Sequence, residues 1–519
     1  IRDSTNVTKR YLESMKRNKE IFQSSQQKTI PFDDYKKGFR NWKEKTTTSP
    51  SGRHLGHHHS LLTPDGVQYS KEKVDFSERM WHLHHNITSI ALLNARPLRR
   101  WLTSIVILIP KDKGKPKIHR LRIINTYESE YNLILKYFWP KVGMEKAEKN
   151  KWLGYNQMGG RHNMSSIEPA CINELITEVH RLTRTSLCIH QDDAKGCYDR
   201  IIRNHANLNN KKFHIPDNVG KIYCEAHEKM SFRTQLHNSI SKTSYSSTKA
   251  LPFHGAGQGA GNAGTEWTFI SVPMIKVAEE LTEGCVINLP QGNATWTIHI
   301  LGFVDDKRHY VNNLKKRVTQ HLLNALEKSI RTWDELLKFV GGQLEMDKNA
   351  WYLIEWEFDS NDKPYIKEQT QPLNFQGDNG EKIPSKQLQP HEPATYLGVT
   401  SQVNGSQTAQ YLELHSKAEQ CARKLSSTHM SHYYSHVYNN CSIIPRITYP
   451  LAATSLTSKH FQKLHATLYP SVIASKGFNR HFPKQLRFGI HKYSGLGLLN
   501  LEVEQGIRKI QILHKFIYH

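Results

Sequence analysis

No apolar run in this 519-residue chain approaches the roughly 20 residues that a membrane-spanning helix needs. Cysteine is scarce and scattered. There are seven, at positions 171, 188, 197, 224, 285, 421 and 441, an odd number with no CxxC pair. That pattern argues against a disulfide framework and reads as a reduced, intracellular chain, nuclear or cytoplasmic rather than secreted. The N-terminal residues carry no secretory signal pattern. No internal repeat is present. Acid is in deficit: 71 Lys and Arg face 47 Asp and Glu, a net charge of +24. A surplus of that size predicts a polyanionic partner, nucleic acid first, and no membrane. Hydrophobic residues at 37% and aromatics at 10% suffice for packed cores, and the length calls for several subdomains.

What is present is ordered along the chain. Residues 1–60 are polar and mixed in charge, and a packed core there is not expected. SIVILIP (104–110) is a β-branched run ended by proline, which predicts a strand, with LRIIN (121–125) returning. The basic turn KDKGKPKIHRLR lies between them and carries Lys111, Lys113, Lys115, Lys117, Arg120 and Arg122. Helical spacing marks 165–184, and SLCIHQDD (186–193) reads as a strand. The pattern over 215–245 is helical and then less regular. A glycine-rich loop, LPFHGAGQGAGNAG (251–264), precedes a helix starting at Thr265. Residues 294–311 predict a β-hairpin turning near Asp305–Asp306. An apolar stripe predicts a helix over 313–340, stopped by Gly341-Gly342, and 400–519 is mostly helical.

Two strand ends carry paired aspartates, Asp192-Asp193 and Asp305-Asp306. Buried carboxylates are costly unless paired or metal-bound. Carboxylates on neighbouring strands can hold two Mg²⁺ ions about 3.5–4 Å apart, which activate a hydroxyl and clamp a triphosphate. Glycine-loop amides and nearby cations can hold phosphates. Together these parts describe nucleotidyl transfer. Gly255, Gly257 and Ala260 also fit a dinucleotide-binding GxGxxA, but SSTKALPFH before them is no buried strand.

In this order the stretches IPKDKGKPKIHRLRIIN, QDDAKGCYDRI, GAGQGAGNAGTEWTFIS, LGFVDD, GGQLEMDKNAWYLI and TYLGV resemble the reverse transcriptases of retrotransposons, most like the non-LTR or LINE-type group, over about residues 75–515. The resemblance implies an α+β right-hand polymerase. An N-terminal extension (1–74) would precede fingers and the start of the palm (75–190). The palm with an inserted fingers part (191–395) and a primer grip with helical thumb (396–519) would follow. It implies RNA-directed DNA polymerase activity with two Mg²⁺ (Mn²⁺ as a substitute), an RNA template, a DNA primer and dNTPs.

Residue by residue, Asp193 and the Ala194 carbonyl match the first metal-binding position, with Asp192 the alternative. Tyr198, five after Asp193, matches the aromatic gate against a ribose 2′-hydroxyl. Asp305 and Asp306 match the second metal-binding box. Gln258-Gly259 match the motif lining the template base and incoming nucleotide, and Lys111 and Arg122 match triphosphate-binding cations. Lys348 matches a proposed general acid, and Tyr396-Leu397-Gly398 the primer grip.

The sequence departs from the family at Ala263-Gly264, where relatives carry Ser-Pro, and at Lys307, where small or apolar residues are commoner. Two other readings therefore stand: an inactive or domesticated copy that binds nucleic acid, and an RNA-dependent RNA polymerase. The histidine clusters HLGHHHS (54–60) and HLHH (82–85) lack cysteine partners and read as solvated or nucleic-acid-facing.

Overall fold

The computed structural model describes residues 5–15, 27–43, 49–63, 67–111, 114, 117–118, 121–236, 239–289, 294–313, 319–345, 348–376 and 381–518. Lys113, Lys115 and Arg120 of the basic turn lie outside the described residues, as do 314–318 of the expected helix. The chain is α+β. Its elements, in order, include α1 (Asn6–Ser14), α2 (Phe32–Arg40), α3 (Lys71–Leu93), β1 (Thr103–Pro110), β2 (Leu121–Thr126), α4 (Ile167–Thr183) and β3 (Ser186–Asp192). There follow α5 (Asp217–Lys229), β4 (Ser231–Leu236), α6 (Ala263–Leu281), β5 (Ile300–Phe303), β6 (Asp306–Asn313) and α7 (Thr319–Phe339). The last are β7 (Ala350–Ile354), β8 (Lys386–Leu388), β9 (Ala394–Tyr396), β10 (Val399–Ser401), α8 (Thr408–Ser427), α9 (Ser458–Ser475) and α10 (Leu501–Tyr518). No described helix is long and apolar enough to cross a membrane. All seven cysteines are free thiols.

Two sheets organise the chain. The first runs β2-β1-β4, with two short strands on β4; β1 and β2 are antiparallel and β1 and β4 parallel. The second, central sheet runs β8-β7-β3-β6-β5. Its antiparallel centre pairs Lys307 with Asp192, Arg308 with Gln191 and His309 with His190. Apolar spacing builds the helices that cover it. Leu322, Leu326, Ile330, Trp333 and Leu337 of α7 recur every three or four residues and are all buried, as is Trp267 of α6. Each such side chain contributes about 1.5–3 kcal/mol. The opposite face of the sheet packs on α4 through Ile176. A separate helical core, with Leu414, Phe461, Leu468 and Leu501, joins α8, α9 and α10.

Four sequence expectations change. Residues 1–60 do enter the core. Tyr11 packs with Phe339 against the central helices, and Tyr35, Phe39, Trp42 and Leu55 are buried beside the first sheet. Polar surroundings hid these aromatics, which occupy single faces of short helices. His58 and His84 are buried rather than solvated. His58 stacks on Phe39 at 4.0 Å, burial pushes its pKa down to about 3, and His84 contacts the Arg53 guanidinium. Residues 231–236 form a strand, because β4 completes the edge of the first sheet beside β1. Thr295–Ile298 pairs with Cys285–Asn288 instead of joining the aspartate hairpin.

Candidate active site

The site grows from the ends of β3, β5 and β6. Phe303 pairs with Asp306, so the turn is Val304–Asp305, one residue earlier than the spacing implied. Continuing the β3–β6 register by one rung sets Asp306 opposite Asp193. Val304 sits at φ +58, a costly conformation for a β-branched residue. The turn is correspondingly clamped. The Val304 carbonyl accepts from Trp267 Nε1 (2.6 Å), Lys307 Nζ (2.8 Å) and Gln157 Nε2 (3.2 Å), and the Val304 N–H donates to Gln157 Oε1 (3.1 Å).

Asp193, Asp305 and Asp306 are half-buried and mutually repelling. Burial, then the charges of Asp305 and Asp193, raise Asp306 to about 6, and burial also raises Asp305. The segment after α7 reaches this point by pairing with the residues after β3. Glu345 N–H donates to the Asp193 carbonyl (2.8 Å), Lys195 N–H donates to the Gln343 carbonyl (2.7 Å), and Ala194 bridges Leu344. That docking delivers Lys348, whose ammonium is ion-paired with the Asp193 carboxylate. The hydrogen bond to Asp193 raises the Lys348 pKa. The three carboxylates offer oxygen donors, the type that Mg²⁺ or Mn²⁺ takes, but among the described residues their donor atoms do not all lie within 4.8 Å of one another, so the structure does not close them into a metal site. A divalent cation would also offset the burial, and then the mutual repulsion, that raise Asp305 and Asp306.

Alternation along the strands separates two faces. Asp193, Asp306 and Arg308 share the front. Arg308 is buried there, bonded to Gln191 Oε1 (2.7 Å) and Asn173 Oδ1 (2.7 Å) with its guanidinium 4.4 Å from the Tyr396 ring. Asp192 and Lys307 share the back. Asp192 is buried against His309, which places it away from Asp193. Lys307 is 1% exposed and lies over the Trp333 and Trp267 rings at 4.7 and 5.1 Å. Neither cation beside the aspartates therefore points into the site.

The remaining predicted residues surround it. Tyr198 is the second residue of the short helix Cys197–Arg200, half-buried, its phenol pushed up by burial and then by the charges of Cys197 and Asp305. The glycine loop is laid against it. Ala256 N–H donates to the Tyr198 carbonyl (2.8 Å), and Gly255, at φ +94, lies so close to that carbonyl that a Cβ would collide. The loop's other side joins β2, where Asn125 N–H donates to the Gln258 carbonyl (2.6 Å). Gly259 follows, exposed. Lys111 is exposed and lowers the Asp199 carboxyl, which burial nonetheless lifts to about 6. Arg122 stands exposed on β2, opposite Ile109 of β1. Tyr396, Leu397 and Gly398 make the tight β9–β10 turn, with positive φ at Leu397 and Gly398. Tyr449 donates to the Leu397 carbonyl (2.6 Å), and the buried Tyr396 hydroxyl donates to Leu301 (3.3 Å).

No known family model matches the sequence, and no curated protein matches it. Sequence reading singled out Lys307 and Arg308 beside the aspartates but passed over Gln157 and the histidines behind the sheet. The period-two alternation of KRHYV could have sorted Lys307 and His309 from Arg308 and Tyr310. Gln157, 147 residues from Val304, left no local signal.

Proposed function

We propose that the chain is an RNA-directed DNA polymerase of the reverse-transcriptase type, with the first sheet in the fingers, the central sheet as palm and the helical unit of α8–α10 as thumb. The observation that carries the reading is the convergence of Asp193, Asp305, Asp306 and Lys348 at one sheet edge, beside Tyr198 and the glycine loop. Asp193, Asp305, Asp306 and the Ala194 carbonyl would hold Mg²⁺, which when bound supplies Lewis-acid activation of a primer hydroxyl and charge neutralisation on phosphates. Lys348, kept protonated by Asp193, is suited to give its proton to the departing pyrophosphate oxygen. Lys111 and Arg122 attract the triphosphate. The Tyr198 ring excludes a ribose 2′-hydroxyl, Gln258 and Gly259 orient the base, and the Tyr396–Gly398 turn supports the primer. The net charge of +24 supports binding of template and primer backbones, so affinity falls steeply with salt.

A second reading, a nucleic-acid-binding copy without catalysis, draws on the Lys348–Asp193 ion pair, which occupies a carboxylate the metal needs. Primer extension on an RNA template separates the readings. The polymerase incorporates dNTPs with Mg²⁺ and loses this in Asp305→Asn. Incorporation undiminished in Asp305→Asn, or none with either Mg²⁺ or Mn²⁺, overturns the proposal. Preference for NTPs over dNTPs would instead mark an RNA polymerase.

A further inference from the structure

Behind the central sheet, His190 and His309 face each other directly across the β3–β6 register, and Asp192 follows two residues along on the same face. All three are at most 1% exposed. Among the described residues they are the one group of His, Cys, Asp or Glu whose donor atoms all lie within 4.8 Å of one another. His309 Nε2 meets Asp192 Oδ2 at 2.8 Å, and His309 Nδ1 meets Ser329 Oγ at 2.8 Å. Both ring nitrogens of His190 and Oδ1 of Asp192 have no hydrogen-bond partner.

Buried polar groups almost always find a partner, so the orphaned His190 and Asp192 atoms are an anomaly. An ion accepting one imidazole lone pair and the free carboxylate oxygen removes most of it. Two imidazoles and one carboxylate suit Zn²⁺, whereas the front set is oxygen alone. Ser329 on Nδ1 of His309 is the outer partner that a metal-binding imidazole usually keeps. A metal between His309 and Asp192 would replace their direct hydrogen bond, the two donors moving slightly apart to bind it. Lys307 shares this face, opposite Asp192, but its ammonium is turned to the Val304 carbonyl and two indole rings.

We propose that His190, Asp192 and His309 form a structural Zn²⁺-class site that ties β3 to β6 directly beneath the Asp305 turn. The site stands on its own geometry and does not depend on polymerase activity.

The test is equilibrium dialysis of the full chain against Co²⁺, a spectroscopic stand-in for Zn²⁺. About one ion per chain is expected, with the visible band of low-coordinate Co²⁺. The band is expected to persist in Asp305→Asn and to vanish in the double variant His190→Gln, His309→Gln. Ser329→Ala should weaken binding by about 10-fold. Lys307→Met, which removes the nearby cation, should tighten it. A wild-type protein that retains no Co²⁺ overturns the site, as does a folded double variant that keeps the band, or a band lost in Asp305→Asn. Should the double variant fail to fold, unchanged Co²⁺ affinity in Lys307→Met overturns it instead.

Discussion

The two faces of the β3–β6 pair are made by alternate residues of the same two strands, yet they have opposite characters. The front rim holds Asp193 and Asp306, half-buried and open to ligands, behind which Arg308 is fixed by Gln191, Asn173 and Tyr396. The back holds His190, Asp192, Lys307 and His309, all buried, with Trp267 of α6, Ser329 and Trp333 of α7 and Phe375 against them. A carboxylate one residue from another can thus be a candidate reacting group or a structural one, and only the side of the sheet distinguishes them. The same alternation turns Lys307 away from Asp305-Asp306, whereas Arg308, on their face, is held by Gln191, Asn173 and Tyr396.

The contrast is broken most severely from the front. Asp305→Asn should lower primer extension by about 10³-fold or more, several kcal/mol of transition-state stabilisation, with the melting temperature nearly unchanged. The back should respond in the other currency. Asp192→Ala strands His309 and Lys307 in the core and should cost about 3–5 kcal/mol in chemical denaturation, whereas Asp193→Ala, half-exposed, should cost about 1 kcal/mol or less. Equal losses from the two would erase the distinction.

The helices behind the sheet offer a pH test. Glu266 of α6 is fully buried, bonded to Tyr223 (2.7 Å), Asn262 (3.1 Å) and Asn210 (3.2 Å), and burial lifts it from 4.5 to about 7. Because its folded pKa lies above its unfolded one, the unfolded chain loses this proton first as pH rises. Stability therefore falls between pH about 4.5 and 7 and levels off above. Glu266→Gln should remove that fall, so the difference between variant and wild type should grow by about 2–3 kcal/mol across the window. A constant difference would mean that the carboxyl is not held protonated. The smallest effect belongs to the front wall. Tyr198→Ala should raise NTP use relative to dNTP use by about 10–100-fold, since a single steric contact is worth about 1–3 kcal/mol. Unchanged selectivity would remove Tyr198 from the sugar position.

Much of the front was legible. SIVILIP, LRIIN, SLCIHQD and the long amphipathic helix ending at Phe339 carry strong local periodicity, and the structure has an element at each. Asp193, Asp305, Asp306 and Lys348 were all marked by motif; Lys348 pairs with Asp193, and Asp305 and Asp306 feel the Asp193 charge, without the three carboxylates closing to within 4.8 Å of one another. The N-terminal segment was misjudged because its few aromatics are diluted among polar residues, and their burial depends on partners far along the chain. Tyr11, for example, is covered by Asn209 and Phe339.

Local pattern thus determined which segments are strands and helices, where the carboxylates sit along them, and that the surface is strongly basic, because periodicity, turn chemistry and charge are properties of neighbouring residues. Which of Asp192 and Asp193 faces the site, that Lys307 turns inward onto Trp267 and Trp333, and that His190 meets His309 were decided by strand register. Register is chosen by burying the apolar faces of the whole sheet against α4, α6 and α7, so a shift of one residue would have exchanged the two faces.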